Sequence, residues 1–179
     1  MSTPKELAAT GMTCDVVVIG AGTAGIAAER SARKAGAKTL LIDPEFRGTL
    51  CANTGCMPSK LLIAAARSAN DVRRATLFGV LPEGVQIDGP AVMKRVRDER
   101  DRFVSFTKET FDDLPEGTAV SGRARFLSQT ELALDDGRRI TAGAVVIATG
   151  ATPVIPPAFR DLGPCVLTHE TVFDLEDLP

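Results

Sequence analysis

Cys14-Asp15-Val16-Val17-Val18-Ile19-Gly20-Ala21-Gly22-Thr23-Ala24-Gly25 is the stretch that decides how this chain folds. An apolar, β-branched run ends abruptly at a glycine. Such a run suits a strand buried on both faces of a parallel sheet. Residues 24–35 are rich in Ala, Arg, Lys and Glu, which favour a helix, and Gly36 ends it as a C-terminal glycine does. Thr39-Leu40-Leu41-Ile42 reads as a second strand closing on Asp43. The order is strand, helix, strand, and its crossover is right-handed in nearly all known cases. The expected class is α/β with a parallel sheet and helices on its faces.

The glycines between strand and helix have separate tasks. Gly20 permits the tight turn, Gly22 lets the backbone approach a pyrophosphate, and Gly25 lets helix and sheet pack closely. Ala21, Thr23 and Ala24 complete the loop. A pyrophosphate would face the unpaired N–H groups and positive dipole end of the helix. Asp43 follows Gly25 by 18 residues, close to the ~20 expected for an acid that binds a ribose hydroxyl. The alternative is a glycine-rich packing turn with a solvated Asp43. These residues alone leave FAD and NAD equally open.

Further along, Leu61, Leu62, Ala65 and Ala66 recur at helical spacing within 56–76. Residues 90–113 predict a longer, charged helix with Val92, Val96, Phe103 and Phe106 as its apolar stripe. Short strands follow at Ala119-Val120 and Gly122–Phe126. Glu131–Leu134 and Arg138–Thr141 flank Asp135-Asp136-Gly137, a hairpin signal, so a small antiparallel β-meander is expected. Ala144-Val145-Val146-Ile147-Ala148 reads as another buried parallel strand stopped by Thr149-Gly150. Residues 1–13 read as a polar lead and 151–179, with four prolines, as a connection.

Composition excludes several classes. The net charge is −2, and there is no Trp or Tyr, so neither a basic field nor stacking platforms point to nucleic acid. No apolar run reaches the ~18 residues of a membrane span. The polar start, Met1–Glu6, lacks an apolar signal core, which places the chain in the cytoplasm. Four cysteines are too few to staple a chain of 179 residues. Cys14 and Cys165 read as small buried hydrophobes, and the lone His169 as an ordinary surface residue.

Cys51-Ala52-Asn53-Thr54-Gly55-Cys56, followed by Met57-Pro58-Ser59-Lys60, pairs two thiols five positions apart. In an unbroken helix their Cα atoms would be roughly 8–9 Å apart. A disulfide needs about 7 Å or less, so bonding requires a distortion at or before Cys56. Gly55 and Pro58 suit such a break. Cys56 would then lie at a helix N-terminus, where a thiolate is favoured, with Lys60 one turn on. Three readings stay open: a redox disulfide beside a cofactor, a zinc half-site, and coincidental core cysteines. Zinc prefers tighter spacing and further ligands, which favours the first.

Taken together, Gly20–Gly25, Cys51–Cys56, Met57-Pro58-Ser59-Lys60 and Ala148-Thr149-Gly150 resemble the flavoprotein disulfide reductases, the group of dihydrolipoamide dehydrogenase, glutathione reductase and mercuric reductase. Pro58-Ser59-Lys60 looks more like the dihydrolipoamide and mercuric branches. The resemblance implies a Rossmann-like FAD domain over 14–150, with 151–179 leading toward an NAD-binding domain. It implies FAD as cofactor and NAD or NADP as co-substrate. The partner is a small dithiol or disulfide, and the complete enzyme is a homodimer. Asp43 would hold the adenosine ribose, and the backbone at Gly122 and Ala124 would border the adenine. Ala148, Thr149, Gly150, Gly48 and Thr49 would line the rest of the cofactor. Cys56 would be the flavin-proximal thiolate, Cys51 the interchange thiol, and Lys60 a neighbour of the flavin.

The chain departs from that pattern in three places. Gly48-Thr49-Leu50 stands before Cys51 where the family often has Gly-Gly-Thr. Glu29 occupies a position usually given to a small residue, where it is expected to pair with Arg33. No second glycine fingerprint follows Gly150, so the resemblance implies the N-terminal portion of a longer enzyme, inactive by itself. Its rivals are a noncatalytic nucleotide- or partner-binding protein and an NAD-linked dehydrogenase with incidental cysteines.

Overall fold

The structure, a computed structural model, describes residues 11–179. The first ten residues of the expected polar lead lie outside it. The chain divides into two compact units, one of residues up to Arg47 with Lys108–Gly150, the other of Gly48–Thr107 with Ala151–Pro179.

The first unit is built on β1 (Gly11–Ile19), α1 (Thr23–Lys34), β2 (Thr39–Asp43), β3 (Ala119–Ser121), β4 (Ala124–Phe126), β5 (Glu131–Leu134) and β6 (Arg139–Ile147). Six strands form one sheet in the order β3-β2-β1-β6-β5-β4. β1 pairs in parallel with β2 and β6, and β2 in parallel with β3. β4, β5 and β6 make the antiparallel meander.

Two strand boundaries differ from expectation, and for one reason. β1 starts at Gly11 rather than Cys14, and the two expected strands 138–141 and 144–148 are a single β6. The added residues pair with each other, Gly11 to Cys14 lying beside Arg139 to Ala142. Gly143 is not a turn. A Cβ there would stand 3.0 Å from the Asp15 carbonyl oxygen, so the glycine permits close approach of the neighbouring strand.

The connectivity forces the sheet to curl. β3 and β4 are its outermost strands, yet only Gly122 and Arg123 link them. Six flat strands would separate the edges by about 24 Å, while three Cα steps cover about 11 Å. The meander therefore folds over one face. There Val17, Leu40, Ile42 and Val120 pack with Leu132, Leu134, Ile140 and Ala142. On the other face Val18 and Leu41 pack with Phe111, Ile26, Ala28 and Phe46. Val17 and Val18, adjacent in sequence, are both fully buried on opposite faces, as the apolar run predicts. Cys14 is half-buried against the first of these clusters.

The second unit contains α2 (Leu50–Asn53), α3 (Cys56–Arg74) and most of α4 (Gly89–Asp112), whose last residues belong to the first unit. The buried stripe of α4 is Met93, Val96, Val104 and Phe111. It is rotated from the expected one, since Phe106 is 52% exposed. Arg100, 14% exposed at its side chain, lies on the same line as the buried residues. Its guanidinium bonds Asp174 at 2.5 Å and Asp101 at 2.9 Å, and Arg97 bonds the Leu175 carbonyl. These bonds hold the 3-10 turn Val172–Asp174, with Phe173 buried beside it. α3 buries only Pro58. Cys165 is exposed, which corrects the buried reading given to it, because it ends a 3-10 stretch (Pro157–Cys165) in which no residue is buried. His169 is exposed, as expected. No helix among the described residues is long and apolar enough to cross a membrane.

Candidate dinucleotide and dithiol sites

The turn after β1 is built around contacts that only glycine allows. Gly20 has φ +101°, and a Cβ there would meet the Ala148 carbonyl oxygen at 2.4 Å. A Cβ on Gly25 would lie 1.8 Å from the Gly20 carbonyl oxygen. Gly22 is different, because a Cβ there would meet nothing within 4 Å. Its missing side chain leaves open space for a ligand rather than room for packing. Gly22 is also the N-cap of α1, with no side-chain cap and no acid in the first turn. The first helical hydrogen bond is from Ile26 N–H to the Gly22 carbonyl, so the N–H groups of Thr23, Ala24 and Gly25 have no helical partner. Such an end suits an anionic group. The open space at Gly22 and these free donors fit a pyrophosphate.

Asp43 has a second task that spacing does not reveal. Its Oδ2 accepts Ala21 N–H at 2.9 Å, and its Oδ1 accepts Glu45 N–H at 3.0 Å and Phe46 N–H at 2.8 Å. A carboxylate offers about four acceptor sites. Three are taken by the two turns it ties together, which leaves one for a hydroxyl.

A cavity of about 270 Å³ gathers Gly20, Asp43, Gly122, Ala124 and Thr149. Its volume is just below the about 300–1,000 Å³ of pockets for drug-sized ligands, which suits one end of a dinucleotide. Ile19, Ile42, Pro44 and Arg123 complete its wall. Arg123, between Gly122 and Ala124, carries no motif signal of its own in the sequence. The wall is braced from the hairpin turn. Asp135 Oδ1 accepts Arg123 N–H at 3.1 Å, and Asp135 N–H bonds the Arg123 carbonyl at 3.1 Å. Arg138 Nη2 donates to the Ser121 carbonyl at 2.6 Å. Arg138 also holds Asp136 below the usual carboxylate range, chiefly through its backbone N–H and then its guanidinium at 2.6 Å.

Glu29 is buried, 1% exposed, and fully partnered: Arg33 Nε donates at 2.8 Å and the Thr39 hydroxyl at 2.9 Å. The expected Glu29–Arg33 pair forms, and its carboxylate raises the Arg33 pKa, first by hydrogen bonding.

Gly48, Thr49, Cys51, Cys56 and Lys60 all belong to the second unit. Gly48 has φ +95°. Thr49 is the N-cap of α2, and its hydroxyl accepts Ala52 N–H at 3.3 Å. α2 stops at Asn53, Gly55 takes φ −124° and ψ −115°, and α3 begins at Cys56. The backbone therefore breaks between the two cysteines, as bonding requires. Both are thiols. The neighbouring Cys56 side chain is the main cause that raises the Cys51 pKa, followed by burial. Backbone N–H groups of Cys56 and Met57 oppose the rise. Cys56 itself opens α3, at the helix N-terminus expected for it. Ser59 closes this turn, its hydroxyl donating to the Gly55 carbonyl at 2.5 Å. Lys60 is exposed, without an ion pair among the described residues. Ala148 is half-buried, and Thr149 and Gly150 are exposed, with Gly150 at φ +73°. Among the described residues no three His, Cys, Asp or Glu side chains are placed to hold a metal ion.

Fold and site together define a dinucleotide-binding α/β protein that carries a thiol pair across a helix break. Residues 14–177 match the family model for pyridine nucleotide-disulphide oxidoreductases, and the chain belongs to that family. It is 35% identical over 172 residues to a dihydrolipoyl dehydrogenase of Chlamydia trachomatis, covering 92% of this chain and 36% of that protein. A mercuric reductase of Shigella flexneri is 32% identical over 152 residues, covering 79% of this chain and 26% of the reductase. The chain thus spans about a third of the length of the dehydrogenases it matches. The HOCl-induced flavoprotein disulfide reductase RclA from Escherichia coli has the same fold, with a TM-score of 0.72 at 24% identity over 93% of this chain and 35% of RclA. Membership of the family implies FAD as cofactor.

Proposed function

We propose that this chain carries the FAD cradle and redox disulfide of a dihydrolipoyl dehydrogenase-like enzyme. Electrons pass between NAD(P), FAD and the Cys51–Cys56 pair. The observation that carries this reading is the helix break between Cys51 and Cys56, across which the Cys56 side chain acts on Cys51. Bound FAD supplies the electron exchange with the pyridine nucleotide, and the protein supplies position. Gly20–Gly25 receive the pyrophosphate, Asp43 a ribose hydroxyl, Gly122 and Ala124 the adenine, and Ala148–Gly150 with Gly48 and Thr49 the remainder. Lys60 offers a cation near the flavin.

The thiol chemistry balances within the pair. The Cys51 thiolate attacks a substrate disulfide, forms a mixed disulfide and releases one substrate thiol. Cys56 then attacks the Cys51 sulfur, releases the second thiol and leaves the Cys51–Cys56 bond. Two electrons and two protons have moved to the substrate, and the reverse sequence oxidises a dithiol. The amides of Cys56 and Met57 that face Cys51 stabilise its thiolate. The same reading takes the enzyme to be a cytoplasmic homodimer with a small dithiol or disulfide partner, binding neither nucleic acid nor membrane.

The experiment adds FAD to the purified chain and then dihydrolipoamide without oxygen. Bound FAD should be bleached by the dithiol, and Cys51→Ala and Cys56→Ala should each block that bleaching without releasing FAD. Protein that binds no FAD, or single-cysteine variants that reduce as fast as the parent, would refute the reading. Mercuric ion in place of the dithiol, added to pre-reduced protein, tests the mercuric alternative raised by the 32% identity to that reductase.

A further inference from the structure

The cavity beside Asp43 has only one flat cation in its wall. It is lined by Ile19, Gly20, Ile42, Asp43, Pro44, Gly122, Arg123, Ala124 and Thr149, with no aromatic ring among them. A purine base in such a site lacks the stacking partner that a Phe, Tyr or Trp would supply. A guanidinium is planar, weakly hydrated and stacks on aromatic faces. Arg123 is exposed, and its side chain makes no hydrogen bond or ion pair with another described residue. Its backbone, in contrast, is held at both N–H and C=O by Asp135. The stem is fixed and the head is uncommitted.

The cavity joins Gly20 and Asp43 to the β3–β4 link, and the helix donors at Thr23 to Gly25 lie outside its lining. The helix donors at Thr23 to Gly25 take a pyrophosphate, and the remaining acceptor site of Asp43 takes a ribose hydroxyl. The β3–β4 link lies past Asp43, where Gly122 N–H bonds the Asp43 carbonyl at 3.3 Å. A base attached to that ribose therefore arrives at Gly122–Ala124, beyond the phosphates.

We propose that Arg123 is the base-clamping residue of this site, its guanidinium stacking on the purine of an adenine dinucleotide, an inference that rests on the FAD reading above. Nothing is transferred in this step. The arginine exchanges water contact for the purine face and so favours ligands that carry a purine.

The test measures dissociation constants of FAD, AMP, adenosine and FMN for the chain and for Arg123→Ala and Arg123→Lys. Arg123→Ala should weaken FAD, AMP and adenosine by a similar factor, about fivefold to thirtyfold. FMN, which has no adenine, should be unaffected. Arg123→Lys should not rescue, because an ammonium has charge but no plane. Melting temperatures without nucleotide should stay level, since the Arg123 side chain has no partner to lose. A loss confined to FAD and AMP and restored by lysine would mean phosphate pairing and overturn stacking. Unchanged affinities in Arg123→Ala would overturn any role in binding and leave the FAD reading standing. Parent protein that is folded but binds neither FAD nor AMP would remove the FAD reading and this inference together.

Discussion

The sheet unit and the dithiol unit are stabilised in different ways. In the sheet unit, apolar side chains fill two continuous clusters, one on each face. Even Glu29, the one deeply buried carboxylate among its described residues, has its bonds made internally. The dithiol unit buries Ala52, Pro58, Met93, Val96, Val104 and Phe173, and leaves Leu77, Phe78, Val80 and Leu81 between 59% and 82% exposed. Its order comes more from caps and ion pairs, such as Thr49 on α2 and Arg100 on Asp174. A packed core tolerates little change, whereas an element held by caps and ion pairs loses less when one side chain is altered. The proposed cofactor cradle belongs to the first kind and the proposed redox pair to the second.

The largest expected effect breaks the cradle outright. Gly25→Ala places a methyl group 1.8 Å from a backbone oxygen that cannot move aside, and should cost about 4 kcal/mol or more. Urea unfolding would show no stable sheet unit. Next comes a matched pair of leucines. Leu132→Ala, at a fully buried site, should cost about 3–5 kcal/mol, and Leu81→Ala, at 82% exposure, less than about 0.5 kcal/mol. Equal losses for the two would abolish the contrast drawn here.

Glu29→Ala should cost about 3 kcal/mol, because it leaves Thr39 buried without its partner and Arg33 without its anion. Chemical denaturation of the double variant with Arg33→Ala should show strong coupling. Gly22→Ala sharpens the comparison from the other side. It fills open space at an ordinary φ of −77°, so stability should change by less than about 1 kcal/mol. FAD affinity should nevertheless fall by about tenfold or more, because the backbone can no longer approach the pyrophosphate. A Gly22→Ala variant that melts early would make this glycine structural, like its neighbours.

The smallest effect lies in the dithiol unit and is read by pH. The Cys56 thiol is the main reason that Cys51 holds its proton above the usual cysteine range. Removing it in Cys56→Ala takes away that cause and keeps the Met57 amide. The pH curve for alkylation of Cys51 by iodoacetamide should therefore move to lower pH. A curve that stays in place or moves upward would contradict that role of Cys56.

Much of this was legible in the residues. Burial of both Val17 and Val18, on opposite faces, follows from an unbroken apolar run, and the turn at Gly20 from its end. The helix break followed from bond geometry and two residues, Gly55 and Pro58. Other features were hidden because they depend on distant partners. The length of β1 and the unity of β6 came from strands 128 positions apart in register, Gly11 with Arg139. The partial burial of Arg100 within α4 goes with its ion pair to Asp174, in a segment with no periodic signal. Arg123 went unseen because a charged residue between two small ones reads as solvated strand. Its place in a cavity wall depends on Asp135 from the next turn.

The central position of β1 also bears on how the molecule comes into being. β1 lies between β2, which follows at once, and β6, which a ribosome adds only after more than a hundred further residues. Until then one side of the central strand has no ladder, and pairing over such a separation closes slowly. The stretch from Gly48 to Thr107, cysteines included, is already synthesised during that wait. Birth order thus puts Cys51 and Cys56 ahead of the finished sheet, so both thiols leave the ribosome before the glycine turn after β1 has gained its neighbour Ala148.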